Sequence, residues 1–142
     1  MANNMKRRTA VLAVTCVTAV FGLAGRNANA ENKASEDPVR SFSVSIAKDT
    51  RDRFFACLAA FAKRNAFSIQ IYPKSPDGRL ILVQMLRRDL EILINNPFAP
   101  LTFRVNLFRS GAAPIVEGLA DKIVADLKTE VSMMPGVVFY QK

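Results

Sequence analysis

Residues 79–109, RLILVQMLRRDLEILINNPFAPLTFRVNLFR, decide the fold of this chain. Two parts of this stretch alternate between apolar and other residues with a period of two, which is typical of half-buried strands. Between them, residues 96–100 (NPFAP) contain two prolines that cannot donate ladder hydrogen bonds, so we expect the chain to reverse there. The stretch therefore predicts three strands of an antiparallel sheet. The alternating apolar residues are Leu90, Ile92, Ile94, Leu101, Phe103, Val105 and Leu107.

The segment before this stretch predicts a strand, a helix and a second strand. Phe42 to Ile46 alternates between apolar and small residues. A helix is expected to follow, capped by Asp49 or Thr50 and ended near Arg64, with Asn65 as a left-handed stop. Phe67, Ile69 and Ile71 then alternate in a second strand, and residues 75–78 (SPDG) are typical of a turn.

The segment after it predicts a second helix and a final strand. Pro114 is expected at the first helical position, and apolar residues recur at spacings of three and four from Val116 to Val131. Residues 134–136 (MPG) end this helix, and residues 137–140 form a short strand at the edge of the sheet.

The element order is therefore β-α-β-β-β-β-α-β, an α+β fold. Each helix has one apolar stripe, and each strand has one apolar face. A two-layer sandwich, with an antiparallel sheet of five to six strands and both helices on one face, buries these surfaces most simply.

The first thirty residues have the three parts of a signal peptide. Lys6, Arg7 and Arg8 are followed by an uncharged, mostly apolar run, and residues 28–30 (ANA) match the small-x-small cleavage pattern. We expect cleavage after Ala30, a flexible leader over residues 31–40 and a single domain over residues 41–142. An uncleaved N-terminal anchor is the alternative, and it also places the domain outside the cytoplasm. No transmembrane segment is expected after removal of the signal.

The charge of the mature chain argues against a nucleic-acid partner. Cleavage removes four of the twenty basic residues and no acidic residue, so the net charge falls from +8 to +4. Cys16 leaves with the signal, and Cys57 alone cannot form a disulfide within the chain.

The absence of histidine excludes the usual general base, the usual zinc ligand and imidazole-dependent triads. Asp89, Glu91 and Glu117 remain as carboxylates, and we expect Asp89 and Glu91 to be solvated turn residues rather than a catalytic pair. Cys57 lies on the apolar stripe of the first helix and is expected to be a buried, unreactive filler. No catalytic residue, cofactor or metal site is predicted.

The hairpin after residue 86 is expected to turn over Arg88 and Asp89, so that Leu86 faces Glu91. Directly opposed residues share a face, and this register leaves a strip of leucine and aromatic residues exposed on the side away from the helices. Such a strip, with a polar rim, is typical of an interface. The alternative is a one-residue register error or a bulge, which would turn the leucines inward. The candidate interface residues are Tyr72, Leu82, Gln84, Leu86, Leu93, Asn95, Arg104, Asn106 and Phe108.

These features predict a small exported protein, periplasmic or secreted, that is not an enzyme and binds a protein partner or a second copy of itself through this face. One alternative is an inhibitor or immunity-type protein of an envelope enzyme. Another is a binder of an anionic lipid, polymer or envelope surface, with arginines such as Arg79, Arg87 and Arg109 contributing. A small enzyme with a carboxylate or thiol site is the third.

The cleavage pattern gives a direct prediction. Protein recovered from the envelope or the medium of exporting cells should have the intact mass of residues 31–142, because the peptidase reads the small residues before Glu31. Mass spectrometry of the intact protein measures this, and a mass that includes Met1 would contradict it.

Overall fold

The computed structural model describes residues 37–111 and 114–140, which belong to one compact unit. Its elements follow the predicted order, and a 3-10 turn, Lys48–Thr50, precedes the first helix. The elements are β1 (Arg40–Ser45), α1 (Arg51–Arg64), β2 (Ser68–Pro73), β3 (Ile81–Leu86), β4 (Leu90–Ala99), β5 (Thr102–Arg109), α2 (Leu119–Ser132) and β6 (Val138–Tyr140).

The described strands form one antiparallel sheet in the order β2-β3-β4-β5-β1-β6. The predicted α+β fold is therefore confirmed, with a sheet of six strands. As expected, the final strand lies at an edge, where β6 pairs with β1 and places Tyr140 opposite Ser43. The other edge is β2, which pairs only with β3 among the described strands.

Both helices pack on the same face of the sheet. Cross-strand register aligns Val83, Ile94, Val105 and Phe42 in one row, and Met85, Ile92 and Leu107 in the next. These rows form a single apolar core with the buried stripes of the two helices, and each buried large side chain contributes about 1.5–3 kcal/mol. The helical residues in this core are Phe54, Leu58, Phe61, Ala62, Ala120, Ile123, Leu127 and Val131.

The β3–β4 hairpin has the expected register. Leu86 lies opposite Glu91, and the Arg87 backbone N–H donates to the carbonyl of Leu90 at 2.9 Å. The Arg87 guanidinium donates to both carboxylate oxygens of Asp89, at 2.7 and 3.1 Å. It also lies 4.8 Å from the centre of the Phe67 ring. The turn is therefore closed by both backbone and side-chain contacts.

The reversal between β4 and β5 lies later than predicted. β4 continues to Ala99, and the chain turns at residues 100–101. A bulge between Asn95 and Ala99 interrupts the ladder, since Asn95 pairs with Arg104 while Ala99 pairs with Thr102. The bulge accommodates Pro97 because unpaired residues need no ladder donor.

Asn96 explains why the chain continues as a strand. Its side chain is 1% exposed and makes three hydrogen bonds. Oδ1 accepts from the Ile81 N–H at 2.7 Å, and Nδ2 donates to the carbonyls of Arg79 at 2.6 Å and Pro100 at 2.9 Å. Asn96 therefore joins the β2–β3 loop to the β4–β5 turn.

The first helix has the predicted bounds, with Thr50 at its N-cap position and Arg64 as its last residue, but the contacts predicted at its two ends were wrong. Thr50 makes no capping hydrogen bond, and its hydroxyl donates instead to the carbonyl of Pro135 at 3.2 Å. Asn65 is not left-handed, because the positive φ of 58° belongs to Ala66. The Asn65 side chain donates to the carbonyl of Phe61 at 3.0 Å, and the same carbonyl accepts from the Asn65 backbone N–H at 3.0 Å.

The second helix begins later than predicted. Pro114 is not its first residue, because α2 starts at Leu119 after Gly118, whose φ is +74°. Val116 was expected on the buried stripe but is 70% exposed. The three-to-four spacing holds from Ala120 to Val131, and it fails before Gly118 because the chain there is not helical.

At the start of the domain, the last residues of the predicted leader join the sheet. β1 begins at Arg40, and the Val39 N–H donates to the carbonyl of Leu107 at 2.7 Å. The predicted signal peptide and residues 31–36 lie outside the described residues.

Replacement of Asn96 by alanine should lower the free energy of unfolding by about 2–4 kcal/mol. The change removes three hydrogen bonds and leaves one N–H and two carbonyls without their partner. Urea denaturation measures the loss. Asn95→Ala is the matched control, since Asn95 Oδ1 accepts no hydrogen bond in the described part of the chain. An equal loss in the two variants would contradict the role given to Asn96.

Candidate interface on the outer face of the sheet

The nine candidate interface residues lie on one face of the sheet. We call this the outer face, because it is turned away from the helices. Three adjacent cross-strand rows contain all nine residues, and directly opposed residues share a face. The rows are Tyr72, Leu82, Asn95 and Arg104, then Gln84, Leu93 and Asn106, then Leu86 and Phe108 with Glu91 between them.

The exposure predicted for this strip was wrong at its centre. Leu82, Leu93 and Phe108 are only 7%, 5% and 3% exposed, and Gln84 is 9% exposed. Each lies on β3, β4 or β5, interior strands whose side chains are flanked on both sides by those of neighbouring strands. Leu86 is 43% exposed, and the remaining four candidates are partly exposed: Tyr72, Asn95, Arg104 and Asn106.

The three buried apolar residues of the outer face do not belong to the core. The core cluster between the sheet and the helices contains none of Leu82, Leu93 and Phe108. The sheet therefore has large apolar side chains on both faces. A sheet face that contacts only solvent does not need large apolar side chains.

Among these residues lies a polar pair that the sequence pattern did not predict. The amide of Gln84 donates to Glu91 Oε1 at 2.7 Å, and Glu91 is only 3% exposed. Glu91 was expected to be a solvated turn residue, and that expectation was wrong because β4 begins at Leu90. The hairpin register contained the signal, since it places Glu91 diagonally across from Gln84, within reach of long side chains.

Other polar groups on the outer face differ in how well they are bonded. The Ser41 hydroxyl donates to Asn106 Oδ1 at 2.8 Å, and the Tyr72 hydroxyl donates to Gln70 Oε1. Asn95 Oδ1, in contrast, is buried and accepts no hydrogen bond within the described residues. Such an acceptor costs about 1–3 kcal/mol. A donor supplied from outside would recover part of this cost.

Within the described part of the chain, the arginines do not form one continuous basic surface. Arg87 bonds Asp89 and lies over Phe67, and Arg79 forms an ion pair with Asp77 at 2.9 Å. On β5, Arg104 lies on the outer face, whereas Arg109 faces Leu90 across the ladder. This arrangement lacks the continuous cationic stripe expected of a polyanion binder.

Asp89, one of the three candidate carboxylates, does not have the electrostatics of a general acid. The hydrogen bond from Arg87 holds the pKa of Asp89 below its usual value. A general acid needs a raised pKa, whereas the pKa of Asp89 is lowered. No group of three or more His, Cys, Asp or Glu side chains placed to bind a metal occurs within residues 37–111 and 114–140.

Cys57 is half-buried rather than fully buried. Burial raises the pKa of its thiol, and the negative charge of Glu130 raises it further, while Arg64 acts in the opposite direction. Arg64 and Glu130 form an ion pair between α1 and α2. The thiolate is therefore disfavoured at neutral pH.

Comparisons with known proteins leave the function open. The chain matches no protein-family model, and no curated protein matches it significantly. None of the helices in the described ranges has the length and apolar character needed to span a bilayer.

The raised pKa of Cys57 predicts slow alkylation in the native protein. Because the thiolate is the nucleophile, the rate constant with iodoacetamide should still increase at pH values where an ordinary thiol, with a pKa of about 8.5, is already ionised. Mass spectrometry of timed samples measures the rate. Glu130→Gln should accelerate the reaction at neutral pH, since it removes a charge that raises the pKa. Equal rates for the native and the urea-unfolded chain at neutral pH would contradict the prediction.

Proposed function

We propose that this is a small exported protein that acts by binding, and that it binds a protein partner or a second copy of itself through the outer face. The observation that supports this most directly is the apolar cluster of Leu82, Leu93 and Phe108, which lies outside the core. Apolar residues at the centre of a patch, surrounded by polar residues, are the composition of protein interfaces.

Two further features of the outer face favour a protein partner. Leu86 extends the apolar cluster to an accessible position, and the buried Asn95 Oδ1 lacks a donor within the described residues. A partner that covers Leu86 and donates a hydrogen bond near Asn95 would satisfy both. Export is supported by the N-terminal sequence, which lies outside the described residues.

The burial of Leu82 and Leu93 decides how the proposal can be tested. A charge at either position would be buried without a partner, which destabilises the domain whatever the face binds. Leu86 avoids this difficulty because it is 43% exposed, and Ile71 offers a matched control. Ile71 is 47% exposed and lies opposite Val83, in a row on the helix side.

Leu86→Lys should weaken association at least about tenfold, because the interface would have to bury an unpaired ammonium. Ile71→Lys should leave association unchanged. Sedimentation velocity of the purified protein measures self-association, and chemical cross-linking in exporting cells measures association with another protein.

The pattern across the two variants distinguishes the outcomes. Loss of a dimer in sedimentation identifies a second copy as the partner, whereas loss of one defined cross-linked species identifies another protein. The proposal is wrong if Leu86→Lys and Ile71→Lys behave alike in both assays. Thermal unfolding of both variants verifies that the fold is retained.

A further inference from the structure

A cleft of about 270 Å³ lies at the end of the domain where the β2–β3 loop, the β4–β5 turn and the start of α1 meet. These three segments are far apart in sequence, and hydrogen bonds hold them together. Asn96 joins the β2–β3 loop to the β4–β5 turn. Arg51 joins α1 to the same loop, because its guanidinium donates to the carbonyl of Gly78 at 2.7 Å. The lining residues are Lys48, Arg51, Asp77, Gly78, Arg79, Pro100 and Leu101.

The charges around the cleft leave an excess of positive charge. Lys48, Arg51 and Arg79 are cationic, and Asp77 is the acidic residue among those that line the cleft. Asp77 is paired with Arg79 at 2.9 Å. The hydrogen bond from Ser75 and the N–H of Arg79 hold its pKa below the usual value. Within the described residues, neither Lys48 nor Arg51 has a carboxylate at ion-pair distance, so both cationic groups are available to a ligand, although Asp49 and Asp52 lie next to them in the sequence.

The position of Arg51 is fixed before any ligand binds. Besides its bond to Gly78, the guanidinium lies 5.4 Å from the centre of the Phe55 ring. An ordered cation loses little conformational entropy on binding an anion. Lys48, in contrast, is exposed on the 3-10 turn and is able to move toward a ligand.

The remaining surface of the cleft is apolar and open. Pro100 and Leu101 supply side-chain carbons, and Gly78 leaves space, since a Cβ built there would meet no atom within 4 Å. A volume of about 270 Å³ lies just below the range of about 300–1,000 Å³ that is typical of small-molecule sites. It suits a short organic molecule and is larger than a single inorganic ion requires.

From these features we infer that the cleft is a binding site for a small organic anion, a carboxylate or phosphate attached to a short apolar group. The anionic end lies between Lys48 and Arg51, and the apolar group lies against Pro100 and Leu101. This site is separate from the outer face and does not depend on the function proposed for it.

Hexanoate and hexyl phosphate are suitable probes, with hexan-1-ol and inorganic phosphate as controls. A titration followed by ¹H–¹⁵N NMR of the purified protein should show saturable shifts at the backbone amides of residues 48–51, 77–79 and 101 for at least one of the two anions. Hexan-1-ol and inorganic phosphate should each bind at least about tenfold more weakly, because each provides only half of the contacts.

Lys48→Glu should weaken binding of the anion about tenfold, since it reverses a charge beside the site. The domain should remain stable, because Lys48 has no partner within the described residues and a carboxylate is favourable before a helix N-terminus. Lys63→Glu makes the same change of charge at the other end of α1 and should leave binding within about twofold.

Three outcomes would overturn the inference. One is the absence of saturable shifts in the cleft with both anions. Another is binding of hexan-1-ol or inorganic phosphate as strong as that of the organic anions, which would mean that the apolar or the charged contacts alone account for binding. The last is an equal effect of Lys48→Glu and Lys63→Glu, which would mean that the net charge of the protein, and not the cleft, determines anion binding.

Discussion

The register of the β3–β4 hairpin is the constraint on which the rest of the structure depends. With Leu86 opposite Glu91, the side chains of Val83, Met85, Ile92 and Ile94 all point toward the helices. The stripes of α1 and α2 require one continuous apolar surface, and this register supplies it. A shift of the register by one residue would turn the side chains that now lie on the outer face toward the helices, because successive side chains of a strand point to opposite faces.

Much of the fold follows from local patterns in the sequence. Alternation identifies β4 and β5, three-to-four spacing identifies both helices, and the two-residue turn at Arg88 and Asp89 gives the hairpin register. The errors lie at element ends, where a side chain makes a contact that a local pattern does not encode. Asn96 reads as a turn residue before proline, but its three hydrogen bonds to distant backbone groups keep it in β4.

The candidate sites were predictable to different degrees. Pairing rules place residues on a face, so the membership of the outer face could be derived from the sequence. The low exposure of Leu82, Leu93 and Phe108 could not, because a residue's exposure depends on everything that surrounds it. The cleft was missed for a similar reason, since its walls come from three separate segments. The basic residues Lys48 and Arg51 and the turn at residues 75–78 were visible, but nothing local indicates that they meet.

A sheet with apolar residues on both faces raises the question of what specifies its register. In β3, Leu82 lies on the outer face and Val83 and Met85 on the inner face, so hydrophobic burial alone distinguishes poorly between registers one residue apart. The buried polar groups discriminate more strongly. A slip of β3 would place the Gln84 amide in the core and remove its hydrogen bond to the Glu91 carboxylate. Unpaired buried groups of this kind cost several kcal/mol.

The same polar contacts limit how the outer face can change. A shifted register would break the Gln84–Glu91 hydrogen bond at the centre of the sheet and the hydrogen bond from the Ile81 N–H to Asn96 at the end of β4. Apolar burial therefore supplies most of the stability, while a few hydrogen-bonded polar groups select one arrangement. Leu86 and Arg104 are not involved in these contacts. The outer face can therefore vary at its accessible positions, where a partner would touch it, without altering the register on which the core depends.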